Sequence, residues 1–599
     1  MLKLFHEQAR LAGWSAAERI RAAMGGQLPC IDFVAEAQQC PVCGDDLHVQ
    51  KSKRRRVSTL AAGVFEAREI RKQCRSDRSH PVMVSERLTR LAPAGQGYGY
   101  DLIVQVGLAR YLRNLQREEI RAELLREQGI VISDGTVSHL CDHFLTALEA
   151  LHLKRTPVLC AAMEGGYPLH IDATSESGKG GLFICMDGWH GWVLHAAKIR
   201  SENEQELRPC VEQTVSRFGD PIAVVRDLSS AEAGAVADLR GRGILDLVCH
   251  YHFLGAIGKK LFDDHYTVLR NLLRQSKVRP QLRELLRELR HHHSGDLYDG
   301  TLGRGALREN LLALMVWLLE DEGHKDLPYP FSLPHLAFYQ RCQVVKQRAE
   351  QWLPLPRSRV ERRVLKQLNT LLAGFDALPR LNWVVPRLEI NQQRFDELRD
   401  ILRLTDAELP RGDVRCLPAR EFPELEAARL REIEQALDEY RKRIEKRAEQ
   451  NQSALSAEPI ILNYLDRYKD HLFGHPARYD ADGAIISLVE RTNNIAEHFF
   501  GADKQRLRRR LGRANLGRDL EDQPAQAALT ANLRHTDYVQ ILCGSLANLP
   551  AAFAELDRQE VEQSTPLVRD NRDATMLKRV SVLIKQDQSL QQGGLLAAN

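Results

Sequence analysis

Apolar and polar positions follow two different periods along this 599-residue chain. Over 101–113, Leu102, Val106, Leu108 and Leu112 recur at helical spacing, and over 116–128 Ile120, Leu124 and Leu125 repeat the pattern. Gly129 is placed to end the second helix as a C-cap, and Ile130-Val131-Ile132 leads to Ser133, a good N-cap for a third helix, DGTVSHLCDHFLTALEALH. The period then drops to two. Strands are predicted over 167–173, 180–186 and 192–199, joined by the turn residues Ser177-Gly178-Lys179-Gly180 and Asp187-Gly188, which makes an antiparallel meander. A helix over 202–218, a strand over 221–226, a helix over 230–240 and a fifth strand over 244–248 follow. The helical crossover makes the fourth strand parallel to an earlier one. From about 256 to 485 the pattern is long and helical. Residues 418–450 form a highly charged helix, with apolar positions at Leu425, Leu430, Ile433 and Leu437, that fits a coiled-coil arm or a solvated helix. Trp317, Trp352 and Trp383 are expected to anchor cores in this helical body. Beyond residue 560 the polar pattern predicts a mobile tail.

Composition changes this picture little. Hydrophobic residues make up 43% and charged residues 27%, an ordinary balance for a chain with real cores. No apolar run approaches the ~18 residues that a membrane span requires, so no membrane partner is expected. The N-terminal MLKLFHEQARLAGWSAAERIRAA alternates charge with apolar residues, as an amphipathic helix does and a signal peptide does not. The expected location is the cytoplasm, on the nucleoid when bound to DNA. A net charge of +4 is too small to argue for nucleic acid. Two local runs matter more: Lys51, Lys53, Arg54, Arg55 and Arg56, and then Lys504, Arg506, Arg508, Arg509, Arg510 and Arg513. Such clusters can follow a phosphate backbone. Twelve cysteines without a secretion signal argue against a disulfide framework.

Four residues near the N-terminus have metal-ligand chemistry. Cys40-Pro41-Val42-Cys43-Gly44 is a knuckle in which two thiolates sit one tight turn apart, and Gly44 supplies the freedom the turn needs. Cys74 and His80, about 30 residues later, would complete a tetrahedral structural zinc site; their spacing is irregular, which leaves Cys30 or His48 open as a substitute ligand. After the Gly-rich linker PAGQGYGY (93–100), the Gly129 turn and the third helix have the helix-turn-helix pattern. Thr136, Ser138 and His139 lie near the start of that helix, where base edges would be read.

Three acids stand in suggestive places. Asp172 lies in the first strand of the meander (LHIDAT), Asp227 ends the fourth strand (VVRDLS), and Glu497 follows Asn493 and Asn494 in ERTNNIAEHFFG, with Glu490 in reserve. Three strands, a strand ending in Asp and then a helix resemble the ribonuclease-H-like fold. The ERTNNIAE segment is similar to the third-acid motif of DDE transposases, in particular Mutator-like elements and related bacterial insertion sequences. Cys249 and His252, just after the fifth strand, fit the Cys-x-x-His signature that hAT and Mutator groups carry after their second Asp. The resemblance covers roughly 165–255 and 488–515.

It implies a multidomain α/β plus α protein. A zinc-ribbon-like domain with an N-terminal helix would occupy 1–92 and a helix-turn-helix domain 93–155. A ribonuclease-H-like core would run over 160–255, be interrupted by an all-α insertion over 256–485, and resume over 486–530 with the third acid. A C-terminal helical region and tail would follow over 531–599. It also implies a transposase that binds terminal inverted repeats and target DNA as a dimer or higher oligomer. Asp172, Asp227 and Glu497 would hold two Mg²⁺ (or Mn²⁺) ions, whose oxygen preference suits carboxylates, and His252 with Cys249 would stand at the same edge. From Glu497, Lys504 and Arg508 continue along one helix face and would hold a DNA backbone, as would Lys53, Arg54, Arg55 and Arg56. The alternatives are a nuclease or resolvase on the same fold that cuts without joining, or a domesticated DNA-binding regulator.

Overall fold

The computed structural model describes residues 28–164, 166–175, 181–291, 307–320, 327–355, 359–404, 422–450, 457–556 and 560–561. The predicted N-terminal helix, the Ser177–Gly180 turn and the tail beyond 561 lie outside them. The chain divides into two compact units: Met1–Ile244 with Asn493–Asn599, and Leu245–Thr492.

The first unit opens with strand β1 (Cys30–Val34) and the hairpin strands β2 (Leu47–Thr59) and β3 (Gly63–Cys74). In β3, Gly63, Phe65 and Ala67 are buried at alternate positions, the period-two signature of a strand with one face covered. The order is β1-β3-β2, with β1 parallel and β2 antiparallel to β3.

Three helices follow, Tyr100–Tyr111, Arg117–Gln128 and Asp134–Ala162. Their ends obey the predicted local chemistry. Gly129 has φ +64° and caps the second helix, and Ser133 Oγ accepts the Thr136 N–H (3.1 Å) at the start of the third. Arg121 clasps the turn between them, donating to Ile132 O and Asp134 Oδ1, both at 2.9 Å. The third helix runs on to Ala162, past the end of the predicted segment, and its continuation is buried at Thr156 and Leu159.

The meander is β4 (Pro168–Ser175), β5 (Gly181–Asp187) and β6 (Val193–Ile199), antiparallel throughout. Helix Glu204–Phe218 then crosses to β7 (Ala223–Arg226), which pairs parallel with β4. The result is a mixed sheet. One hydrophobic core joins Phe144 and Leu148 of the long helix, Phe183 and Ile184 of the sheet, Phe499 and Phe500 of helix Asn494–Leu511, and Tyr538 and Phe553 near the C-terminus. The segments expected as helix-turn-helix, core and C-terminal domains share this one core. The reason is physical: the third helix is long enough to lie on the sheet as well as on its own hairpin partner, and Asn532 stitches the C-terminal segment to β6 through Val193 N–H and C=O (2.7 and 2.8 Å).

The second unit begins with strand Leu245–Val248 and is mainly helical from His250–Gln275 to Ala457–Tyr468. It is not all-α, because Ala477–Tyr479 and Ile485–Leu488 form an antiparallel hairpin. Helix Pro423–Gln450 buries Leu430, Ile433, Leu437, Tyr440 and Ile444 along one face and packs on Ala457–Tyr468. It is thus a half-buried member of the unit, neither an arm nor fully solvated. Trp383 is 53% and Trp317 39% exposed, against the expectation of core anchors. In helix Leu381–Leu402 the buried stripe is Leu381, Val384, Val385 and Leu388, and Trp383 falls off that stripe. No helix among the described residues is long and apolar enough to cross a membrane.

Candidate functional site

Parallel pairing sets two of the acids level with each other. In the β4–β7 register Leu169 faces Val224 and His170 faces Val225. Continued by two residues along both strands, the same register brings Asp172 opposite Asp227. Asp172 is buried and its Oδ1 accepts the Ala173 N–H (2.7 Å); Asp227 is half-buried just past the end of β7. A third carboxylate, which the sequence reading missed, stands with them. Glu232 lies on the short helix Ser230–Ala235 and is 4% exposed, and its Oε2 accepts the Asp227 N–H at 2.8 Å. Burial raises the Glu232 carboxyl well above the ordinary range, and the nearby charges of Asp227 and Asp172 raise it further. The available signal was an acid in the first turn of the helix that follows a strand-ending Asp.

Glu497 reaches this neighbourhood through Asn493. The Asn493 side chain is fully buried. Its Nδ2 donates to Ile171 O (2.8 Å), and its Oδ1 accepts from His170 Nδ1 (3.1 Å). The residue that opens helix Asn494–Leu511 is therefore bonded to the two β4 residues just before Asp172. Glu497 lies one turn on, its N–H donating to Asn493 O (3.2 Å), and is half-buried while Ala496, Phe499 and Phe500 sink into the core. Gly188 leaves room for the His170 ring, since a Cβ there would stand 2.4 Å from it. Two residues upstream, Arg491 is locked inside the second unit, where its guanidinium donates to Glu426 Oε1 (2.7 Å), Leu402 O (2.6 Å) and Arg403 O (3.1 Å). Glu490, the reserve acid, precedes these anchors. Within that same unit, Cys249 is buried immediately before helix His250–Gln275 and His252 is half-buried in its first turn.

A second cluster lies in the β1–β3 module. The β2–β3 hairpin pairs Leu47 with Cys74, which sets Cys74 beside the Cys40–Cys43 knuckle. Gly44 takes φ +78° and its N–H donates to Cys40 O (2.8 Å), closing the knuckle. The ligand atoms of Cys40, Cys43, Cys74 and His80 all lie within 4.8 Å of one another. Cys43 Sγ is 3.5 Å from Cys74 Sγ, and His80 Nδ1 is 3.4 Å from Cys40 Sγ. The His80 Nε2 atom faces Asp77 Oδ2 at 3.5 Å, the outer carboxylate that orients a metal-bound imidazole. Desolvation opposes ionisation of Cys40, but N–H groups of Cys43 and Val42 outweigh it and bring the thiol down to about 7. Three thiols and one imidazole are a donor set suited to structural zinc. Cys30 is exposed on β1, and neither it nor His48 joins the group.

The basic candidates divide. Lys53, Arg54 and Arg56 are exposed on β2, with Arg54 3.3 Å from Glu66. Arg55 is half-buried and donates to Pro93 O (2.8 Å) and to Gln96 O, tying down the linker. His139 is exposed and its Nε2 is 3.0 Å from that of His143, while Ser138 Oγ accepts from Arg117 (3.1 Å) and Thr136 Oγ1 contacts Ser133 Oγ (3.0 Å). Arg508 is exposed with its Nε on Ala514 O (3.3 Å), and Lys504 is half-exposed.

No protein-family model matches the chain, and no curated protein sequence aligns with it.

Proposed function

We propose that this protein is a DNA transposase of the DDE type, with a ribonuclease-H-like core, that cleaves and joins DNA at an acid cluster formed by Asp172, Asp227 and Glu497. One observation carries the reading. Asp172 lies on β4 and Asp227 directly follows β7, its parallel neighbour, and the helix bearing Glu497 is bonded through Asn493 to β4. On this reading the three acids share one site, where each carboxylate brought near the others would cost free energy unless a cation compensated.

The residues fit divalent cations. The donors are all carboxylate oxygens, which Mg²⁺ and Mn²⁺ take and soft metals do not favour. The Glu232 carboxyl beside them is raised first by burial and then by the charges of Asp227 and Asp172, and a bound cation would oppose that rise. Asp172, Asp227 and Glu497 would hold two ions, which when bound activate the attacking oxygen of water or a 3′-hydroxyl and neutralise the leaving one. The chain's own residues do the positioning. Glu232 fixes the backbone of Asp227, Asn493 fixes the start of the Glu497 helix, and the core beneath keeps both elements rigid. The Cys40–Cys43–Cys74–His80 group would hold a structural zinc ion in a zinc-ribbon-like module. With the helix-turn-helix, it would recognise terminal inverted repeats on double-stranded DNA. Joining two ends calls for a homodimer or larger assembly, working on the nucleoid.

The test uses the full chain, Mg²⁺ and duplexes carrying the inverted repeats that flank the gene. Wild type is expected to nick at the repeat ends and to transfer pre-cut ends to a plasmid. Asp172→Asn, Asp227→Asn and Glu497→Gln should each bind the ends and leave them uncut. Full cleavage by any of the three removes that residue from the site, and cleavage without transfer of pre-cut ends replaces the transposase with a nuclease.

A further inference from the structure

The helix that carries Glu497 ends at Leu511 beside the helix-turn-helix segment of the same unit, and a cavity of about 460 Å³ opens there. Its cations are Arg110, Arg117 and Arg510. All three are held in place. Arg110 donates to Leu115 O (3.0 Å), Arg117 donates to Ser138 Oγ (3.1 Å), and the main chain of Arg510 accepts from Gln116 Nε2 (2.8 Å). The Nε of Arg510 is buried with no hydrogen-bond partner among the described residues. A buried guanidinium nitrogen without an acceptor is costly. Burial, then repulsion from Arg110, brings the Arg510 guanidinium down to about 10, with Asp503 pulling the other way. Burial lowers Arg110 as well, and Arg117 adds to that.

Two carboxylates, Asp519 and Asp522, share the lining, and Asp519 leans toward Arg513 (3.9 Å). Three cations against two anions leave one positive charge. A phosphodiester carries one negative charge, and its two free oxygens match the paired N–H groups of a guanidinium. A phosphomonoester, with nearly two charges, suits the balance less well.

We infer that this cavity seats one phosphodiester of the DNA backbone, at the point where the helix-turn-helix segment meets the helix of the third acid. The inference rests on the DNA-binding half of the proposed function. It gives that reading a mechanical element: a single phosphate held jointly by the recognition segment and by the catalytic helix would couple end binding to the placement of Glu497.

The experiment measures binding of a short labelled duplex of arbitrary sequence to the full chain across a salt series. Each phosphate contact contributes about 0.9 to the slope of log K against log salt. Arg117→Gln, at an exposed position, and Arg510→Gln should each reduce the slope by about that amount, and Arg510→Lys should keep it. Unchanged slopes in both Gln variants overturn the inference. So does tight protection of the protein by inorganic phosphate at constant ionic strength, lost in Arg117→Gln while the DNA slope stays whole, because the cavity then belongs to a free phosphate. A reduced slope in a protein that never cleaves DNA would leave the cavity assigned and remove the transposase reading alone.

Discussion

The cysteine–histidine cluster and the proposed acid site draw on the chain in opposite ways. Cys40, Cys43, Cys74 and His80 come from about 40 consecutive residues, on two turns and the end of a hairpin. Asp172, Asp227, Glu232 and Glu497 come from two neighbouring strands and two helices, the last about 270 residues beyond Asp227. The β1–β3 module has a small core of its own, centred on Phe33, Val57 and Phe65, and would lean on a metal held by its four ligands for definition. The acid site leans on the large core that joins the sheet to the helices. The first cluster should therefore fail locally when its ligands are lost. The second should lose chemistry while the fold stands.

The largest expected effect is on the chemistry. Asp227→Asn should reduce Mg²⁺-dependent cleavage to background with an unfolding midpoint close to wild type; a midpoint drop as large as a core truncation would erase the contrast. Next comes metal removal from the module. Strong chelation, or Cys74→Ser, should release one zinc per chain by mass spectrometry. It should also abolish amide protection of β1–β3, while β4–β7 keep theirs, since structural zinc contributes about 10 kcal/mol or more to small domains. Simultaneous loss of protection in both sheets would show that the module is not independent.

A smaller effect is expected at Asn493. Asn493→Ala removes both bonds to β4 and should lower cleavage about 10- to 100-fold, as loss of an outer-shell partner does, at a stability cost of about 1–3 kcal/mol for the groups left unpaired. An unchanged rate would detach Glu497 from this anchor. The smallest effect is in pH. Glu232 has a folded-state pKa above its unfolded value, so its contribution to stability is complete below the ordinary carboxylate range and is lost as pH rises through the raised value. Urea unfolding without divalent ions should show falling stability along that rise, flattened in Glu232→Gln and offset by Mg²⁺ in the wild type. A flat wild-type profile would remove the electrostatic crowding.

Local chemistry was legible in the sequence wherever one or two residues decide it. Gly129 and Ser133 marked the helix ends because few residues accept a left-handed cap or bond a free N–H. Cys40 and Cys43 marked the knuckle because thiolates at that spacing have few other uses, although the Cys74–His80 interval made sense only once Asp77 was seen facing the imidazole. Strand boundaries in the meander followed the turn residues between short apolar runs, which are buried on both faces. Contacts across the fold were less legible. Glu232 reads as an ordinary helical acid until the fold puts Asp172 and Asp227 beside it. Asn493 was visible as part of a motif, but its two bonds to β4 depend on a strand more than 300 residues earlier. Arg55 counted as one more basic residue, yet its partners are the carbonyls of the linker. Trp383 misled because size and apolarity predict burial only on the face that a helix turns inward.

The wide separation of the acids along the chain also sets an order of events during synthesis. At roughly 5–20 residues per second, the ribosome needs on the order of 15–50 s to pass from Asp227 to Glu497. Throughout that interval the β1–β3 module and the three helices after it have already emerged. The core around the long third helix, however, is closed only by Phe499, Phe500, Tyr538 and Phe553, so on the proposed function the grip on DNA and the cut are completed together. A product that stops anywhere before Asn493 would leave that core open and would have neither the blade nor a finished grip.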